Sequence, residues 1–322
     1  MIRTRQVGIF LFSLLFTFLF FGCQTTSLLL KEKYTDPQVL SEEELLPPEI
    51  VWTPLEVNGN SGASFCKDDD GNTIDDANES AGEAVDRISD ATNPQVPTFQ
   101  IINHKIKSEN VEWTCVKINL DEPNLEIVAK PSRQDLGKGF FLKNFAQKTK
   151  SIVAVNTVPF EKNKKNYLPV SVVKIDGEII CPVNSSYSAL AFSQNPLRAK
   201  IIKNQNEDDI ADCDYAFGGF FTILEDGDIY EFAKYKRSRT AVGFANGGRE
   251  LYLFATCGIN CPTGRNGLNF EECAVILKAL GCTDAMEFDG GHSTGLAIQG
   301  ENAIRPGLQR KVPAAFGIRY RR

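Results

Sequence analysis

The chain has no apolar run long enough to span a bilayer. Its longest, Val7–Phe21, has 15 residues, against about 20 for a membrane helix. No internal repeat is present, which excludes solenoid and propeller architectures. No interleaving of basic and aromatic residues suggests nucleic acid, so no nucleic-acid partner is expected. Zinc-type cysteine spacing is missing as well. Cys257 and Cys261 are followed by Cys273 and Cys282, and the gap within that second pair is too wide for a zinc ligand pair. Basic residues are nearly absent from 24 to 95, where Lys31, Lys33, Lys67 and Arg87 face sixteen Asp or Glu. Apolar residues are also sparse there after Val57. Such a segment buries too little surface to offset its ordering entropy, so 23–95 reads as a flexible acidic tether. Within it, Glu42-Glu43-Glu44 can open a short helix that Pro47-Pro48 would stop. The acidic cluster Asp68–Asp76 lacks the calcium-loop register, because aligning Gly71 at the loop glycine puts Cys66 first and Ala77 last.

What the N-terminus does contain sets the compartment. Arg3 and Arg5 precede the apolar run, and Gly22-Cys23 follows it, the order of a secretory signal over 1–22. Gly22-Cys23 resembles the lipobox of bacterial lipoproteins, which implies acylation of Cys23 and anchoring to an envelope membrane without spanning it. Setting Cys23 aside leaves eight cysteines: Cys66, Cys115, Cys181, Cys213, Cys257, Cys261, Cys273 and Cys282. An even count in an exported chain allows disulfides. Buried free thiols are the other reading.

Residues 96–322 carry the opposite charge, with 29 Lys or Arg against 25 Asp or Glu. These 227 residues can form one substantial core. A mildly basic domain on an acidic chain suits an anionic substrate. Val111–Leu120 and Leu125–Ala129 alternate like paired strands, and Ser151–Asn156 like a buried one. Asp176-Gly177, Asp226-Gly227 and Asn246-Gly247-Gly248 mark hairpin turns. Phe140–Lys148 and Asn269–Leu280 have helical spacing, the second with a capping-box pair, Asn269 and Glu272, and a Gly281 stop. Many hairpins with few helices predict an α+β domain of mixed, mostly antiparallel strands.

The most informative run is Ala285–Gly295. Glu287 and Asp289 share one strand face, roughly 7 Å apart, while Met286 and Phe288 share the other. The apolar face enters a core and leaves both carboxylates at the strand's end. Gly290 and Gly291 permit close approach of backbone to ligand, and their amides suit an anion. A plain hairpin turn with incidental charge is the alternative.

Several segments, in order, resemble the phosphodiester glycosidase domain family: Asn156–Phe160, Leu168–Gly177, Gly218–Phe221, Arg239–Gly243, Gly267–Gly281, Phe288–Thr294 and Ile304–Pro306 with Arg310. Three positions depart from the family pattern. Thr157-Val158-Pro159 replaces a Gly-Gly backbone, His292 replaces a Gly and Ile304 replaces an Asn. The resemblance implies hydrolysis of a sugar–phosphate diester at the anomeric carbon. It implies Asp289 as nucleophile or water-activating base, with Glu287 as its partner or as a hydrogen-bond acceptor behind it. His292 protonates the leaving oxygen or fills a pocket. Arg239 and Arg305 are the phosphate candidates, joined by Arg310, because a guanidinium fork matches two phosphate oxygens. Asn156, Thr240, Gly290, Gly291, Ser293 and Thr294 complete the expected substrate contacts. No cofactor is expected; a divalent ion beside Asp289 is compatible, although no ligand set can be read. The substrate is then a glycosyl phosphodiester or an envelope polysaccharide. A binding protein with catalysis lost, and a plain O-glycosidase using Glu287 and Asp289, are the competing readings.

Overall fold

The computed structural model describes residues 40–57, 97–258, 267–304 and 309–321. The signal segment, Cys23, Cys66, the Asp68–Asp76 cluster, Cys261 and Arg305 lie outside the described residues. Strands dominate. An eight-stranded sheet runs in the order Thr53–Pro54, Phe99–Ile106, Val111–Asn119, Glu250–Gly258, Arg239–Ala245, Asp284–Glu287, Thr222–Glu225, Asp228–Ile229. A five-stranded sheet holds Val153–Asn156 between Leu296–Ile298 and Ala315–Tyr320. A second five-stranded sheet places Ala189–Gln194 beside Tyr215–Gly218. Every pairing between named strands is antiparallel.

The large sheet is covered on both faces. Val242, Leu253, Met286 and Phe288 join Val153, Val155, Phe217 and Phe316 in one core. Ala241, Phe254 and Ala285 join Cys273, Ala274 and Leu277 of the Phe270–Ala279 helix in a second. This double coverage comes from period-two alternation with apolar residues on both faces. The helix is capped as its sequence predicts: Glu272 donates its amide to Asn269 Oδ1 at 2.8 Å, and Asn269 N–H reaches Glu272 Oε2 at 2.9 Å.

All three hairpins form around the expected turns, with Asp176, Asp226 and Asn246 at positive φ. One expected pair does not form. Val111–Asn119 and Leu125–Lys130 are both strands but sit in different sheets, Leu125–Lys130 pairing with Ala315–Tyr320. A short link permitted a hairpin, and burial of Leu125 and Ile127 in the core between the sheets decided against it.

Residues 40–57 correct part of the expected tether. Glu42–Leu45 is helical, ahead of Pro47-Pro48, and Thr53–Pro54 adds an edge strand to Gln100–Ile101. Leu45 is fully buried and its carbonyl accepts a hydrogen bond from Trp113 Nε1 at 2.9 Å. Burying that one side chain stabilises by about 2 kcal/mol, which a composition average over the segment hides. Among the described residues, no helix is long and apolar enough to cross a membrane. Cys115, Cys181, Cys213, Cys273 and Cys282 are buried free thiols, so for them disulfides give way to packing.

Candidate active site

The Asp284–Glu287 strand runs beside Arg239–Ala245, with Ala241 opposite Glu287. Past its end the chain turns sharply. Phe288 N–H donates to Thr240 O at 2.8 Å, Asp289 N–H to Thr157 O at 2.7 Å and Gly291 N–H to Ser238 O at 2.7 Å. These three bonds tie the turn to two separate segments of the chain, one at Thr157 and one at Ser238–Thr240. Gly290 is required there, since a Cβ would lie 2.7 Å from Ser238 O. Gly291 supplies the positive φ, at 62°.

Asn156 locks the turn from behind. Its Nδ2 donates to Asp289 O at 2.7 Å, and its Oδ1 accepts from Thr240 Oγ1 at 2.8 Å and Gly295 N at 2.9 Å. Asn156 and Thr240 are fully enclosed. Both were expected as substrate contacts; the geometry makes them a clamp on the backbone that carries Asp289. The amide cradle expected from the glycines is also engaged internally. Gly291 N–H serves Ser238, and the amides of Ser293 and Thr294 serve the Gly290 and Gly291 carbonyls.

Asp289 is 8% exposed. Burial pushes its carboxyl up to about 6, against the opposing pull of the Ser293 hydroxyl, Arg310 and the Gly290 amide. Arg310 Nη2 lies 3.6 Å from Asp289 Oδ2, and Arg310 Nε donates to Ser293 Oγ at 2.8 Å. The Arg310 guanidinium rests 4.6 Å from the Phe160 ring and stays 43% exposed. A half-open cation therefore stands beside a nearly enclosed carboxylate. Asp289 Oδ2 has no hydrogen-bond partner, and neither do the buried hydroxyls of Thr157 and Thr294. His292 sits half-buried in the Gly291–Ser293 turn, and its carbonyl accepts from Arg310 N at 3.4 Å.

Glu287 differs from the expectation of a shared cleft. Its side chain lies on the helix-facing side of the sheet, with Ala241 and Ala285, and is 0% exposed. Neither carboxylate oxygen has a hydrogen-bond partner. Burial pushes the group up to about 7, with Arg239 and the nearby Cys273 thiol favouring the charged form. The second core covers the face that would have opened to solvent, so Glu287 cannot touch a substrate in this arrangement.

Arg239 stands next to the turn, its side chain against Gly290. It is 8% exposed, and two of its donors are taken: Nε by Leu268 O at 3.0 Å and Nη2 by Tyr235 O at 2.5 Å. Its guanidinium lies 4.1 Å from the Phe270 ring. Sequence spacing put Phe270 on an apolar helix stripe and assigned neither Phe160 nor Phe270 to the site. Each stacks on an arginine from a distant segment, which leaves no local pattern. Among the described residues, no group of three His, Cys, Asp or Glu converges to hold a metal ion.

The phosphodiester glycosidase family model matches residues 149–319, which include the whole Asp289 turn and its clamp. No curated protein matches the chain. Among solved structures, the catalytic domain of zebrafish N-acetylglucosamine-1-phosphodiester alpha-N-acetylglucosaminidase, auto-inhibited by its pro-peptide, is similar with a TM-score of 0.57 and 19% identity. That match covers 71% of this chain and 86% of the zebrafish domain. A hypothetical protein from Synechocystis is similar with a TM-score of 0.57 and 16% identity, over 69% of this chain and 62% of its own length. These likenesses establish the fold, and the family match extends over more than half the sequence: the chain belongs to the phosphodiester glycosidase family.

Proposed function

We propose that this chain is an exported, lipid-anchored hydrolase that cleaves a sugar–phosphate diester at the anomeric carbon. The observation that carries the reading is the pairing of Asp289 with Arg310 at one clamped turn. Above about pH 6 Asp289 is a carboxylate. It attacks the anomeric carbon, forming a glycosyl ester whose bond to Asp289 water then breaks to free the sugar, or it takes a proton from a water that attacks directly. The bond from that carbon to the phosphate oxygen breaks, and its electron pair leaves on the phosphate. A phosphomonoester is a stable anion with a second pKa near 6, so little protonation of the leaving oxygen is needed. Arg310, half-exposed and always charged, neutralises the diester as it approaches and the monoester as it departs. His292, in the same turn, is the candidate donor for whatever proton the leaving oxygen takes.

Anchoring rests on Gly22-Cys23, and export on the segment before it. Arg239 favours a second reading. With two donors engaged by backbone carbonyls, it braces the site rather than presenting a fork to phosphate. A protein that binds glycosyl phosphate without turnover would tolerate that.

The purified full chain should be offered an N-acetylglucosamine 1-phosphodiester and a matched aryl glycoside. Sugar released from the diester alone, and lost in Asp289→Asn, supports the hydrolase. Binding without release supports the second reading, and release from the aryl glycoside overturns both.

A further inference from the structure

A second surface adjoins the site. Phe221 is 37% exposed and Tyr235 is 62% exposed, the two exposed aromatic side chains among the described residues. Phe221 belongs to a continuous series of rings. It lies 6.1 Å from Tyr187, 5.6 Å from Phe232 and 6.2 Å from Phe270, and Phe232 lies 5.2 Å from Phe270. This ledge is rigidly joined to the strand that leads to Asp289. Phe220 N–H donates to Glu287 O at 2.7 Å, and Glu287 N–H donates to Phe221 O at 3.0 Å. At its far edge the Phe270 ring carries the Arg239 guanidinium.

The segment Phe232–Arg237 borders the ledge and alternates aromatic with basic residues over six positions. Two of its three cations divide by role. Lys236 is tied down, 3.3 Å from buried Glu272 and 3.4 Å from Glu109. The Arg237 backbone bonds Leu268 in both directions at 3.0 Å, which fixes the segment to the start of the helix. The Arg237 side chain is exposed, with one N–H on the Lys236 carbonyl. Rings that remain open to water lose apolar burial unless something covers them. A ligand fitting this surface has a flat, partly apolar face and a negative charge next to it. A sugar ring joined to a phosphate has both.

We propose, building on the hydrolase reading, that the Phe221–Phe232–Phe270 ledge and Arg237 bind the next sugar–phosphate unit of an anionic glycan. The substrate is then an oligomer or polymer of sugar phosphates rather than an isolated diester. The link to the Asp289 turn favours this occupant: Phe220 and Phe221 bond the Glu287 backbone, and the Arg239 side chain lies against both the Phe270 ring and Gly290. The Arg239 guanidinium on the Phe270 ring and the exposed Arg237 on the bordering segment favour an anionic occupant over a neutral aryl or lipid aglycone.

The test compares two substrates sharing one scissile linkage, a monomeric sugar-phosphate diester and a sugar-phosphate oligomer, in the full chain and in Phe221→Ala and Arg237→Ala. Arg237 is exposed and Phe221 partly so, and a melting profile matching the parent is the control for folding of each variant. The ratio of kcat/KM for oligomer over monomer should fall about tenfold in each, through KM. Arg237→Ala should also flatten the salt dependence of the oligomer KM. An unchanged ratio overturns the proposal. So does a neutral alkyl diester that loses as much as the oligomer, or a single-stranded oligonucleotide that competes equally well. If the unmodified chain turns over neither substrate, the hydrolase reading fails on its own. Calorimetric binding of the oligomer then decides the ledge: affinity reduced in Phe221→Ala supports it, and equal affinity ends it.

Discussion

Two carboxylates stand two residues apart, each with an arginine stacked on an aromatic ring. On one side are Glu287, Arg239 and Phe270, and on the other Asp289, Arg310 and Phe160. Identical chemistry has opposite access. Glu287 is sealed beneath the Phe270–Ala279 helix, and its arginine is held by two carbonyls. Asp289 lies past the strand's end, and its arginine is half open. Burial rather than residue type thus separates a bracing group from a reactive one.

The comparison breaks or sharpens under substitution. The largest expected effect is Asp289→Asn, with turnover reduced on the order of a thousandfold and an unchanged melting profile as the control. Equal loss in Glu287→Gln would erase the distinction. Arg310→Ala should lower kcat/KM about a hundredfold with little change in Tm. Arg239→Ala should instead lower Tm by several degrees, because the Leu268 and Tyr235 carbonyls lose their donor. An Arg239→Ala protein that keeps its Tm and loses activity would reverse the assignment.

Glu287→Gln sharpens the contrast through pH. The folded chain holds the Glu287 proton up to about 7, while the unfolded chain releases it near 4.5. Between those values the folded state binds more protons, so this group makes stability fall as pH rises. Gln removes that loss. Denaturation midpoints of variant and parent should agree below about pH 4.5 and diverge up to pH 7, by at most about 3 kcal/mol in favour of Gln. No divergence would mean that Glu287 is not buried as an acid. The smallest effect is on the rate profile. Asp289 must be ionised to react, so kcat/KM should rise with pH through a midpoint near 6 and fall about tenfold per unit below it. A midpoint near 4 would place Asp289 in water.

Much of this architecture was legible locally. Hairpins at Asp176-Gly177 and Asp226-Gly227, the capped Phe270–Ala279 helix and the alternation through Met286 and Phe288 follow from turn chemistry and period. These features depend on residues within a few positions of one another. The run around Asp289 was legible as a site because carboxylate, glycine pair and hydroxyls are contiguous.

What the tertiary structure alone decided were roles that depend on distant neighbours. Asn156 has the composition of a ligand and the geometry of a clamp, because Asp289 and Gly295 come to it across more than a hundred residues. Glu287 reads as an active-site acid until helix packing closes its face, and Leu125–Lys130 reads as a hairpin arm until the core claims it. Periodicity states which residues share a face. It does not state what covers that face, because coverage is set by the burial of segments far apart in the chain.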